Sequence, residues 1–297
     1  MSDASLPDLP CYLNGEFSTL REAKVSVMDR GFIFGDGAYE VVPVYAGRPF
    51  CFDQHMARLQ RSLGALRIDN PMTLDGWHGL VEQLVVAYAG SQGLRPQATD
   101  QLVYIQVTRG AAVRDHVMPQ GLVPTVFATS SRLNPPSAQA RAEGVACVSA
   151  DDFRWEKAHI KSISLAGAVL ARQIGADVGA AETVMFRDGF LSEAAASNVW
   201  VVQGGRVLGP PRDNLVLEGI RYGLIEQLCR DAGIPFELRR IARAEVFGAD
   251  ELLLSSATKE VLPVTRLDGL AIGSGRPGPI YQQLHAGYQR AKIASAP

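Results

Sequence analysis

The sequence predicts an α+β protein in two domains, on three observations. Short β-type runs and helical periodicities alternate in both halves of the chain. A polar stretch stiffened by two prolines, Ser131-Arg132-Leu133-Asn134-Pro135-Pro136-Ser137, interrupts the pattern near the middle, and the pattern restarts beyond it. At 297 residues, 47% hydrophobic and 20% charged, the chain can bury a core on each side of that break. The expected layout is a smaller N-terminal α+β domain over 1–131, a linker at 132–137 and a larger β-rich C-terminal domain over 138–297.

The first half opens on Asn14-Gly15, inside Tyr12-Leu13-Asn14-Gly15-Glu16-Phe17, which reads as a two-residue hairpin turn. Residues 40–45 form a strand that turns at Ala46-Gly47 into 48–51, and Pro43 within it marks an edge or a bulge. Asp53 is the expected N-cap of a helix whose Met56, Leu59, Leu63 and Leu66 recur at helical spacing. A second helix covers 74–88 with Leu80, Leu84 and Val85 inward, and strands follow at 101–108 and 124–130.

The second half begins with a strand at 145–149 and a helix at 163–174, with Lys161 at its start. Strands at 182–187 and 198–202 turn at Asp188-Gly189 and Gly204-Gly205. A helix at 219–232 precedes strands at 236–241, 251–255 and 261–267, and a terminal helix covers 280–293. No repeat of 20–50 residues is visible.

Composition excludes several function classes. A net charge of -2 carries no basic excess for nucleic acid, and no apolar run approaches a membrane span. Met1-Ser2-Asp3-Ala4-Ser5 lacks the basic and apolar regions of a secretory signal. Cys11, Cys51, Cys147 and Cys229 are scattered, with no Cys-x-x-Cys pair and few histidines, so no metal site is expected and a reducing cytoplasm is the simpler setting. Ser256-Ala257-Thr258-Lys259 matches a Ser-x-x-Lys pattern, but its partner motifs are missing; Gly35-Asp36-Gly37 lacks the third glycine of a dinucleotide fingerprint.

Two residues suggest chemistry. Lys161, in His159-Ile160-Lys161-Ser162, is followed 32 positions later by Glu193, in Ser192-Glu193-Ala194-Ala195-Ala196-Ser197-Asn198-Val199. A lysine among apolar residues and a carboxylate at a strand–loop boundary are what a pyridoxal-phosphate (PLP) enzyme needs, one for the covalent attachment and the other to keep the pyridine nitrogen protonated. Taken alone, the pair also reads as a surface lysine and a loop glutamate.

The wider pattern decides between these readings. Asp29-Arg30-Gly31-Phe32-Ile33-Phe34-Gly35-Asp36-Gly37-Ala38-Tyr39-Glu40-Val41-Val42, then His55-Met56-Ala57-Arg58-Leu59, Val107-Thr108-Arg109-Gly110, the Lys161 and Glu193 motifs, and Leu217-Glu218-Gly219-Ile220 follow in order. Over about residues 10–270 the chain resembles the fold-type IV PLP-dependent enzymes: D-amino-acid aminotransferases, branched-chain aminotransferases and aminodeoxychorismate lyases. The resemblance implies that Lys161 holds PLP and shuttles a proton, that Glu193 faces the pyridine nitrogen, and that Arg58 gives a forked grip on the phosphate. It implies a phosphate cup at Gly219, Ile220 and Arg221 at a helix N-terminus, with Ser256, Ala257 and Thr258 on its other side and Leu217 as a further cofactor-binding residue. Arg221 and Ala257 depart from the threonines often found there. Ala195 and Ala196 stand where serines are common, which leaves Ser197 as the remaining hydroxyl.

Arg114 and His116, in Arg114-Asp115-His116, read by themselves as a polar turn, and Tyr39 as a core aromatic. In the D-amino-acid branch an Arg-x-His at this place binds the substrate α-carboxylate from the neighbouring subunit, beside a tyrosine matching Tyr39. The resemblance therefore implies a homodimeric, D-amino-acid aminotransferase-like transaminase, with D-alanine or D-glutamate as donor and a 2-oxo acid as acceptor. The alternatives are a branched-chain L-amino-acid aminotransferase, an aminodeoxychorismate lyase, or a non-catalytic protein on the same scaffold.

Overall fold

The computed structural model describes residues 7–294. The reading of residues 1–5 as lacking a signal, and the outer ends of the two predicted domains at 1–6 and 295–297, lie outside the described residues. The chain divides into two compact units near the predicted linker. The first holds residues 7–134 together with Ile160–Leu165, and the second holds Pro135–His159 and Ala166–Ala294.

The first unit comprises β1 (Pro10–Leu13), β2 (Glu16–Thr19), α1 (Arg30–Phe34), β3 (Gly37–Tyr45), β4 (Arg48–Pro49), α2 (Phe52–Ala65), α3 (Leu74–Ser91), β5 (Gln101–Thr108) and β6 (Thr125–Arg132). Its strands form one antiparallel sheet in the order β2-β1-β6-β5-β3-β4. Asn14 and Gly15, at φ 52° and 105°, make the left-handed turn between β1 and β2. Side chains alternate between the two faces. Val42, Val44, Val103, Ile105 and Val107 pack with Leu59 and Leu63 of α2 and Trp77 and Leu84 of α3. The opposite face carries an aromatic row, Tyr39, Tyr104 and Phe127.

Two expectations for this unit change. Asp53 is not the cap of α2: Cys51 occupies that position at φ 53°, and Asp53 lies in the first turn, where its charge still favours the helix dipole. Lys161 does not start a helix, nor does it group with the C-terminal unit. Tyr39 N–H donates to the Lys161 carbonyl (3.0 Å) and Ile163 N–H to that of Gly37 (3.0 Å), so the segment runs extended beside the first residues of β3.

The second unit comprises α4 (Ala138–Glu143), β7 (Val145–Asp151), α5 (Ala166–Asp177), β8 (Glu182–Arg187), β9 (Phe190–Ala194), β10 (Asn198–Gln203), β11 (Arg206–Gly209), α6 (Ile220–Asp231), β12 (Phe236–Leu238), α7 (Arg243–Phe247), β13 (Glu251–Ser256), β14 (Glu260–Leu267), β15 (Leu270–Ala271) and α8 (Pro279–Ala294). They build a mixed sheet in the order β12-β11-β10-β13-β14-β7-β8-β9, with β15 on β14. The pairs β11/β12, β14/β7 and β7/β8 are parallel. Val184, Val199, Val201, Leu252, Leu254 and Val264 form its core. The sequence reading lacked α4 and α7, which are too short for apolar periodicity to register. Among the described residues no helix is long and apolar enough to cross a membrane.

Candidate active site

Lys161 is held by its backbone. Its N–H donates to Ser62 Oγ (3.1 Å) on α2, and its carbonyl accepts from Tyr39. The half-buried ammonium lies 4.0 Å from the centre of the Tyr39 ring, a cation–π contact that directs it toward the aromatic face of the sheet. Tyr39 in turn sits 5.7 Å from Tyr104. Tyr39 is thus neither core nor isolated, and it is the immediate neighbour of the candidate amine.

Arg58 lies four residues before Ser62, on the same face of α2. The sequence reading gave it a forked grip on a phosphate, but the structure gives that fork to Glu40. Arg58 Nε donates to Oε1 (2.7 Å) and Nη2 to Oε2 (2.8 Å), with His55 Nδ1 2.7 Å from Oε2. Burial alone would raise the Glu40 carboxyl. The Arg58 charge and hydrogen bonds, helped by His55, reverse this and hold it well below the usual carboxylate range. A buried carboxylate requires such partners, and Glu40 fixes the guanidinium plane.

Glu193 is buried near the end of β9. Arg154 Nη1 donates to its Oε1 (2.7 Å), and the Asn198 amide (3.2 Å) and Leu217 N–H (3.3 Å) donate to Oε2. Arg154 is itself clamped by Asp152 through two bonds of 2.9 Å. Burial nevertheless pushes the Glu193 carboxyl up to about 7, the Arg154 charge opposing it only in part. A second positive charge beside Glu193 is therefore favoured electrostatically.

Gly219 caps α6 without a side-chain bond, so the first-turn N–H groups of the helix have no capping side chain. A Cβ at Gly219 would collide with the Asn198 amide oxygen, so glycine is what lets that amide reach Leu217 O (2.9 Å) and Glu193 together. Ile220 opens the helix, whereas the buried Arg221 places its guanidinium over the Tyr288 ring, 5.6 Å from the centre. Ser256, Ala257 and Thr258 form the tight turn between β13 and β14, with Ser256 Oγ 3.4 Å from Thr258 Oγ1 and accepting from Lys259 N–H (3.0 Å). The Ser197 hydroxyl, read as the one left for the cofactor, instead donates to the buried Glu182 (3.1 Å), which also receives Lys259 Nζ (2.8 Å).

Arg114 and His116 stand together in the exposed loop after β5. Both rest on the Phe34 ring, the Arg114 guanidinium carbon 5.3 Å and the His116 ring 5.4 Å from its centre. Sequence reasoning missed Arg154, Glu40 and the amide of Asn198, each of which contacts a predicted site residue, and Asp152, which holds Arg154. Only Asn198 and Glu40 stood inside quoted motifs. Arg154 and Asp152 carried no such signal, since the Glu193 that Arg154 reaches lies 39 positions away.

These features can be set beside known proteins. The family model for class IV amino-transferases matches residues 37–267. A D-alanine aminotransferase of Bacillus licheniformis is 35% identical over 281 residues, which is 95% of this chain and 96% of that protein. A branched-chain aminotransferase of Thermoproteus uzoniensis, solved with norvaline, superposes with a TM-score of 0.84 at 23% identity, over 97% of this chain and 96% of that one. The fold IV-transaminase CpuTA1 of Curtobacterium pusillum gives 0.79 at 25% identity, over 91% and 92%.

Proposed function

The chain belongs to the class IV aminotransferases, and from that membership we propose that it moves an amino group from a D-amino acid to a 2-oxo acid. The cofactor is PLP, and three observations fit it. A half-buried amine leans on an aromatic ring, a buried carboxylate is left short of positive charge, and α6 begins at a glycine with no capping side chain. When bound, PLP supplies an aldehyde that takes up amines and a protonated ring that withdraws the electron pair left at the substrate α-carbon.

The residues then divide the work. Lys161 Nζ would hold the cofactor's aldehyde carbon and, as a free amine, would move the proton at the substrate α-carbon. Glu193 keeps the proton on the ring nitrogen, and that nitrogen is the second positive charge its site favours. The groups assigned to the phosphate are the Arg58 guanidinium, the N–H groups of Gly219, Ile220 and Arg221, and the Ser256-Ala257-Thr258 turn, and Leu217, whose N–H donates to Glu193, is assigned to the ring. Ser197 supports this frame through Glu182 rather than by its own contact. Tyr39 borders the amine.

The observation that carries the D-amino-acid reading is the placement of Arg114 and His116 side by side on Phe34, a guanidinium and an imidazole that can both donate hydrogen bonds to a carboxylate. A relative of 35% identity that carries the name D-alanine aminotransferase supports it. D-Alanine and D-glutamate are the proposed donors. The same loop and its surroundings expose Val27, Phe32, Val113, Val117 and Val123, an apolar set that favours a second copy of the chain as partner in a homodimer. The test is a half-reaction screen of the PLP-loaded protein. D-Alanine should bleach the cofactor's visible band far faster than L-leucine; a preference for L-leucine would favour the branched-chain alternative, and catalytic pyruvate release from aminodeoxychorismate without an amino acceptor would favour the lyase.

A further inference from the structure

Resting on that reading of Arg114 and His116, we infer that Arg30 is the positioning residue that sets the substrate-carboxylate loop. Residues 111–122 form an exposed loop without regular structure. It is pinched at its neck, where Gly110, at φ 101°, packs so closely on the Val123 carbonyl that a Cβ would collide with it. Among the described residues, the backbone bonds to the α1 region lie at its start: Arg30 N–H to Gly110 O (2.9 Å) and Ala112 N–H to Met28 O (3.2 Å). Arg114, Asp115 and His116 lie beyond these bonds and are exposed.

One buried side chain reaches them. Arg30, 4% exposed, donates from Nη1 to the Asp115 carbonyl (2.6 Å), the peptide between the two carboxylate-binding candidates. Its Nε donates to Asp36 Oδ2 (2.8 Å), and its guanidinium carbon lies 4.7 Å from the centre of the Phe34 ring, the ring on which Arg114 and His116 rest. Asp36 is in turn gripped by Arg109 through bonds of 2.7 and 3.0 Å, and Arg109 also donates to the carbonyls of Leu66 and Arg67 at the end of α2. Arg30 therefore joins the loop to a rigid charged cluster through a bond that only a forked cation can make. Loss of Arg30 leaves Asp36 paired with Arg109, so an Arg30 variant does not strand a buried carboxylate.

The test is a double-mutant cycle on the holoenzyme, with kcat/KM for D-alanine measured for wild type, Arg30→Met, Arg114→Ala and the double variant. Arg30→Met should lower kcat/KM by roughly tenfold, chiefly through KM, and should add nothing once Arg114 is alanine. Arg30→Lys keeps the charge on Asp36 but cannot also span to Asp115, so it should fold as wild type and show the same KM defect. Wild-type KM in Arg30→Lys would overturn the inference. Effects that multiply in the double variant, with Arg114→Ala active alone, would overturn the inference and leave the carboxylate reading standing. No effect of Arg114→Ala would remove that reading and the positioning role with it.

Discussion

Glu193→Gln should abolish a loss of stability that the cofactor-free wild-type chain undergoes between about pH 4.5 and pH 7. Burial takes the Glu193 carboxyl from its ordinary 4.5 up to about 7, against the opposing charge of Arg154. Between those values the unfolded chain has released a proton that the folded chain still holds, so stability falls as pH rises through the window and levels off above it. A gap of about 2.5 pH units at 1.36 kcal/mol each gives ~3 kcal/mol. Glutamine keeps a carbonyl for Arg154 and has nothing to titrate. Urea unfolding at pH 5 and pH 8, in a Trp77→Phe background so that Trp155 and Trp200 of the second unit report, measures the difference directly. The pH 5 to pH 8 drop should be about 2.5 kcal/mol smaller in the glutamine variant, because pH 5 already lies above the unfolded value. Glu40, Asp36, Asp152 and Glu260 are all held below the usual carboxylate range, so their contributions are lost only at lower pH. His285, lowered by its burial, titrates alike in both proteins and cancels. Profiles parallel to within about 0.5 kcal/mol would refute the claim that Glu193 lacks sufficient positive charge.

Two further outcomes follow from single contacts. Glu40→Gln removes the partner that fixes Arg58 and should destabilise the first unit by roughly 3–5 kcal/mol, read by urea unfolding, while weakening PLP binding in equilibrium dialysis. Gly219→Ala should leave α6 folded by circular dichroism but weaken PLP binding, because the new Cβ displaces the Asn198 amide from Glu193 and Leu217; unchanged PLP affinity would contradict the role given to that amide.

Local patterns made much of the fold legible. Asn14-Gly15 marked its hairpin, the alternation in 101–108 marked β5, and Leu59 and Leu63 marked the buried side of α2. What failed depended on partners distant in sequence. Lys161 read as a helix start because apolar residues follow it, yet its peptide groups find Ser62 and Tyr39, about a hundred positions away, and the helix begins only at Ala166. The same holds for the site. Lys161 and Glu193 were visible as residue types in motifs, whereas the Asp152–Arg154 clamp on Glu193 and the capture of the Arg58 fork by Glu40 arise only when the strands pair. Ser197 shows the converse: a motif hydroxyl is turned into the frame by a buried carboxylate, Glu182, that needed it.

The most direct test of the central claim is to load the protein with PLP, reduce it with borohydride, digest it and locate the phosphopyridoxyl group by peptide mass spectrometry. The label should be found at Lys161, and both the label and the visible absorbance band should be lost in Lys161→Ala. Labelling at Lys24, Lys157, Lys259 or Lys292 with Lys161 unmodified, or a Lys161→Ala protein that keeps the band, would contradict it.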